Sequence, residues 1–474
     1  MHMTETLQSM SDASSISGMS ESSQLVAEPA KDDGKLRNNI PMTSFNLINS
    51  IIGSGVIGVP YALKRAGIGL GIIIILVAAL ASDYAILLLI DGGKLSGGST
   101  YQDVVQASFG RPGFYILTLL QFLFPFISMV SYNVIVADGI SKVIAELTGA
   151  EGVTYMVLGN RQFVIALSIL LFTLPLSLYR NIARLSKWAG LALLLIFFVV
   201  LVIIFRLPTM TAKVPATPNA WSFANGHFTD ALGIISFAYV CHHNTFMIHT
   251  SLENPTTARW GYVTHASIAA ATVFTLLFGI VGYVSFTGYT QGDLLENYCY
   301  NDSLVNVARI VYTITIMLTF PVECFVCREV VQNLFLGLTE ELCLWKHVLL
   351  TAVLVGFTGA ISMTTECLGI VLALNGILAA CPLAYIFPSM CVIKLRPEPI
   401  LSRGNTLPGL IAIFGLLIFV VGSLMIVVNF KDATKCNHGA QLPYCEDSFL
   451  PTTTVNMSTT TLATTTASLL NITV

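Results

Sequence analysis

Eleven apolar stretches, each long enough to cross a lipid bilayer, dominate this sequence. They fall at roughly 41–65, 68–91, 113–146, 162–180, 188–206, 229–250, 262–286, 304–329, 347–364, 367–393 and 407–429. About 20 such residues traverse a hydrocarbon core as helix, and within it only helices or closed barrels satisfy every backbone N–H and C=O. The chain is 54% hydrophobic and only 10% charged, with mean hydropathy +0.76; a soluble domain carries roughly 25% charged residues. The reading is an all-α polytopic membrane protein with eleven transmembrane helices. A net charge of −3 without a basic stripe gives no reason to expect nucleic acid. No nucleophile elbow or metalloprotease motif is present, and no CxxC or His/Cys spacing argues for a metal, so neither an enzyme nor an organic cofactor is expected.

The flanks differ from this body. Residues 1–39 are rich in Ser, Glu, Asp and Met and read as a disordered cytosolic tail, not a signal peptide. The body is expected over 40–430, and 431–474 reads as a Thr-rich tail outside the cell or in a lumen. With a cytosolic start, fourteen of the 23 basic residues fall on the cytosolic side, the direction of the positive-inside rule. Lys64 and Arg65 fall on the opposite side. Glycosylation sequons at Asn301, Asn456 and Asn471 all lie on the outer side of that arrangement. The expected location is the plasma membrane, with the lysosomal membrane as the alternative. Of ten cysteines, Cys299, Cys436 and Cys445 lie outside, where disulfides persist, and Cys436 and Cys445 bracket a short loop suited to pairing. The other seven read as packing residues.

Two stretches interrupt themselves. NSIIGSGVIGVP (49–60) places Gly53, Ser54, Gly55 and Gly58 ahead of Pro60, although Gly and Pro cost a helix interior about 1 and 3 kcal/mol. One reading is a small-residue packing face; the other is an unwound segment whose freed N–H groups meet an anion. The sixth stretch carries Cys241, His242, His243, Asn244 and Thr245 in succession, a polar run that marks a functional pathway at bilayer depth. Interruptions in the first and sixth stretches suit a 5+5 inverted repeat, each half opening with a discontinuous helix.

FNLINSIIGSGVIGVPYALKRAG (45–67), FAYVCHHNTFMIH (237–249) and LTFP (318–321) resemble the first, sixth and eighth spans of the sodium-coupled neutral amino acid transporters, within the amino acid/auxin permease group. The resemblance covers roughly 36–430 and implies a leucine-transporter-like fold. It implies that Asn49 and Thr319 bind sodium, with the Ile52 carbonyl as a further ligand. Oxygen donors suit a hard monovalent cation. The substrate, a small neutral amino acid, would rest its carboxylate on the amides of Gly53, Ser54 and Gly55. Its ammonium would meet carbonyls among Phe237, Ala238, Tyr239 and Val240. The implied activity is sodium-dependent secondary transport, with proton antiport as an option.

The chain also departs from that family. Its Cys241-His242 continues as His243-Asn244-Thr245 instead of proline and an acidic residue, and the cysteine-bearing loop after the fifth span is replaced by 207–228. Two alternatives stay open: a proton-coupled transporter without sodium, and an amino-acid-sensing receptor with little transport. His242 and Glu323 are the candidates for proton coupling. Asp83 and Asp138 are further acids within spans, suited to a relay or to pairing with a neighbouring donor.

Overall fold

Lipid leaves a backbone only its own hydrogen bonds, and the chain answers with helix almost throughout. The computed structural model describes residues 38–149, 153–180, 189–332, 343–365, 367–428 and 442–445. The two predicted tails fall almost wholly outside these residues, as do Cys436, Asn456 and Asn471. Among the described residues there is no strand, only an isolated bridge between Asn38 and Leu252.

Nine described helices are long and apolar enough to cross a bilayer, and the bent pair Ile40–Ile51 and Ser54–Ala66 makes ten. The fourth stretch forms the helix Arg161–Ser177; at 1.5 Å per residue its 17 residues reach about 25 Å, short of a roughly 30 Å core. The expected eleven full-length spans are therefore not all present in the described residues.

Burial orders these helices. The sixth (Phe228–Ser251) and tenth (Leu368–Leu395) are 72% buried over their most apolar windows, against 28% for the fifth (Leu191–Lys213) and eleventh (Arg403–Val428). The first pair sits at the centre and the second at the periphery, where Leu194, Phe205, Leu417 and Leu424 present bare hydrocarbon. The third helix, Tyr101–Thr148, packs most extensively on the eighth, Ser303–Val330. The C-terminal half of the broken first helix, Val59–Ala66, packs on Phe228–Ala238 and on the seventh, Thr257–Phe286.

Lys64 and Arg65, the exceptions to the expected charge asymmetry, each have a polar partner. Arg65 pairs with Asp230 at 2.5 Å, and Lys64 Nζ donates to the Thr290 carbonyl at 3.0 Å.

The loop between the seventh and eighth helices is folded inward. Arg309 is buried and donates to the carbonyls of Leu295 and Tyr298 at 2.8 and 2.6 Å. Tyr444 closes over the loop, its hydroxyl donating to the Asn297 carbonyl at 2.8 Å and its ring beside Phe286 and Tyr289. Burial pushes the Tyr444 phenol's pKa up, so it stays a donor. Next to it, Cys445 is bonded to Cys299, which corrects the expected Cys436–Cys445 pairing. Closeness in sequence misleads because loop-closure entropy grows only slowly with length, so packing selects the partner. Cys367, read as a packing residue, is also disulfide-bonded.

Candidate functional site

The first break begins where Ile52 (φ −79°, ψ 88°) leaves the helix, and Gly53 follows in extended conformation (φ −127°, ψ −148°). A 3-10 turn, Ser54–Gly58, restarts the winding with no side chain capping it, and the two helical halves meet at 46°. Gly53 N–H donates to the Ile51 carbonyl and Val56 N–H to the Gly53 carbonyl. Among the described residues no backbone acceptor serves the N–H of Ser54 or Gly55, and no backbone donor reaches the Ile52 carbonyl. These are the orphan groups of a helix start and a helix end, placed together.

The two glycines here do different things. A Cβ on Gly55 would lie 2.8 Å from the Ala238 Cα and 3.0 Å from the Phe237 ring, whereas a Cβ on Gly53 would meet nothing within 4 Å. Gly55 is where the first helix touches the sixth; Gly53 borders open space. The packing-face reading and the open-segment reading each describe one glycine.

In the sixth helix, Phe228–Ala238 ends with Tyr239 N–H on the Ile235 carbonyl and Val240 N–H on the Phe237 carbonyl. Helix resumes at Thr245–Ser251. Between them, the carbonyls of Ala238, Tyr239 and Val240 accept no hydrogen bond from a described residue. Asn244 Nδ2 reaches back to Ser50 Oγ at 3.1 Å, linking the two broken helices by side chains. Phe124 of the third helix lies 5.1 Å from the His243 ring and 5.6 Å from Phe237. His242 is fully enclosed; its ring lies by the Ser82 backbone without a well-directed hydrogen bond.

Asn49 is half-buried, and its side chain makes no hydrogen bond with a described residue. Thr319 Oγ1 donates to the Thr315 carbonyl at 2.7 Å, which leaves its lone pairs free to face a cation. No hydrogen bond joins Asn49 and Thr319. Their helices pack mainly on different neighbours, Ile40–Ile51 on the seventh helix and Ser303–Val330 on the third, although both touch the fifth.

The three intramembrane acids part company. Asp83 meets His265 at 2.8 Å and Asp138 pairs with Arg161 at 3.2 Å. Glu323, half-buried, has no basic group within 4 Å among the described residues; its partner is the Tyr132 hydroxyl at 3.4 Å. Tyr132 also lies within hydrogen-bonding reach of Ser54, so this phenol bridges the first break and the eighth helix. Sequence reasoning passed over Tyr132. The signal was there in SMVSYN (128–133), a polar run in the middle of the third stretch.

A family profile described as transmembrane amino acid transporter protein matches residues 37–428. The chain belongs to that family. A Danio rerio relative, provisionally named sodium-coupled neutral amino acid transporter 11, is 44% identical over 87% of this chain and 90% of its own. The Homo sapiens protein of the same name is 42% identical over 83% and 95%. More distant is vacuolar amino acid transporter 2 of Saccharomyces cerevisiae, 30% identical over 87% and 88%. The family and the names of these relatives are those of multi-pass membrane transporters of amino acids, not of enzymes. The 37–428 match spans the helical body and stops short of Tyr444 and Cys445.

Proposed function

We propose that the chain is a sodium-coupled secondary transporter of small neutral amino acids, with the substrate held between the two breaks. One observation carries this reading: open N–H groups at Ser54 and Gly55 stand beside open carbonyls at Ala238, Tyr239 and Val240, joined at the Gly55–Ala238 contact. A zwitterion needs donors for its carboxylate and acceptors for its ammonium, and the two breaks offer one set each. A half-helix start adds positive partial charge and a half-helix end negative. Gly53 borders the space in which the substrate rests.

Sodium is the proposed driving ion, bound by the Asn49 side chain, the Ile52 carbonyl and Thr319. The support is their free oxygens and the names of the relatives. Asn49 and Thr319 lie on different helices, so the ion bridges a moving element and a scaffold element and favours one arrangement of the two.

In this reading the chain starts in the cytosol, and Asn301, Asn456, Asn471 and the C-terminal tail face the exterior or a lumen. The Cys299–Cys445 bond supports that side, because disulfides persist there. Parity agrees: among the described residues four membrane-length helices, an even number, separate the two cysteines.

A second reading, proton coupling without sodium, draws support from Glu323, whose only described partner is a phenol. Radiolabelled uptake of an amino acid panel into proteoliposomes, with sodium or choline outside and with an imposed pH gradient, separates the two. Uptake indifferent to sodium but driven by the pH gradient replaces the first reading with the second.

A further inference from the structure

We propose that Glu323 gives this site a second substrate class, amino acids with a cationic side chain, beside the neutral ones. The inference rests on the amino-acid site proposed above.

The argument starts from an imbalance. Asp83 and Asp138 each have a basic partner, and Glu323 has none among the described residues. A carboxylate at bilayer depth without a cation is costly and is found where something binds. Glu323 lies mid-helix and keeps only part of its surface exposed. It also stands one turn beyond Thr319, on the same face of the eighth helix.

Distance then selects the ligand. Tyr132 stands between Ser54 and Glu323, so the carboxylate lies no farther than about two hydrogen-bond lengths from the Ser54 side chain. With the substrate carboxylate on the Ser54 and Gly55 amides and its ammonium on the sixth-helix carbonyls, the third direction from the α-carbon is toward the third and eighth helices. A flexible four-carbon stem ending in an ammonium, as in lysine, spans that gap and supplies the missing positive charge. Smaller neutral substrates leave it unfilled and are held by the backbone groups alone.

The test is binding by the full-length purified protein, using displacement of radiolabelled alanine by lysine, arginine, norleucine and alanine. Norleucine has lysine's stem without its charge. Lysine should displace about tenfold to hundredfold better than norleucine, the range expected for a hydrogen bond to a charged group. Glu323→Gln should erase that advantage while leaving alanine binding, and Glu323→Asp should restore part of it, which separates charge reading from a folding defect. Norleucine equal to lysine in the unaltered protein, or a lysine advantage that survives Glu323→Gln, overturns the inference alone. A folded protein that binds no amino acid overturns the site beneath it as well.

Discussion

The two breaks solve the same problem with opposite materials. In the first helix the chain uses its smallest residues, Gly53, Ser54 and Gly55, and leaves donors open. In the sixth it uses large ones, Phe237, Tyr239 and His243, and leaves acceptors open. Small residues allow backbones to approach, as at Gly55 and Ala238. Large ones wall off the gap, and the Phe124–Phe237–His243 cluster does so from the third-helix side. The lesson is a division of labour toward the substrate: one break makes the contact and points donors, keeping the open Ile52 carbonyl for the ion, while the other encloses and points acceptors.

The hardest blow to that comparison is Gly55→Leu. Its Cβ would press on backbone at 2.8 Å, which a rotamer change cannot relieve. We expect little folded protein at the membrane and no transport, read by surface biotinylation and fluorescence-detected size exclusion. Gly53→Leu comes next and should differ in kind, since its side chain enters open space. The protein should fold with a melting temperature within a few degrees of the parent, yet lose amino acid binding. Identical behaviour of the two variants would erase the distinction drawn here.

Asn49→Ala and Thr319→Ala probe the ion that would tie a break to the scaffold. Loss of one oxygen ligand is worth about 1.5–3 kcal/mol, or about tenfold to hundredfold more sodium for half-maximal uptake. Apparent amino acid affinity at fixed sodium should fall in parallel, because linkage is reciprocal. Sodium titrations of uptake that overlay the parent in both variants would remove the assignment. The mildest change is Asn244→Ala, which cuts the side-chain link to Ser50. One neutral hydrogen bond contributes about 0.5–1.5 kcal/mol, so a twofold to tenfold effect on uptake is about what this link can supply. A larger effect would mean that the link positions the acceptors as well as joining the halves.

Much of this was legible in the sequence because lipid makes local rules strict. Stretch length gave the helices, and Gly-Ser-Gly or His-His-Asn inside a span gave the breaks, since only a cavity tolerates them. What escaped depends on contacts across hundreds of residues. Nothing near Gly53 and Gly55 tells them apart; Ala238 does. Asp83 and Glu323 look alike as acids in apolar stretches until His265 is found beside one and Tyr132 beside the other. The Arg65–Asp230 pair is likewise invisible along the chain. The fourth stretch shows the opposite error, a hydropathy window longer than the helix it forms in the described residues.

The staple between Cys299 and Cys445 has a consequence for biogenesis. Its sulfurs are 146 residues apart, and ribosomes make Cys299 well before Cys445. Four membrane-length helices lie in between among the described residues, so the bond can close only once the last of them has been made. Until then Phe286, Tyr289 and Asn297 lack Tyr444, and the folded loop they belong to is open to chaperones and quality control. The bond therefore acts as a completion mark. In a pulse-chase, its appearance on non-reducing gels reports that insertion has finished, and fusions or truncations that displace 442–445 are the ones most exposed to retention.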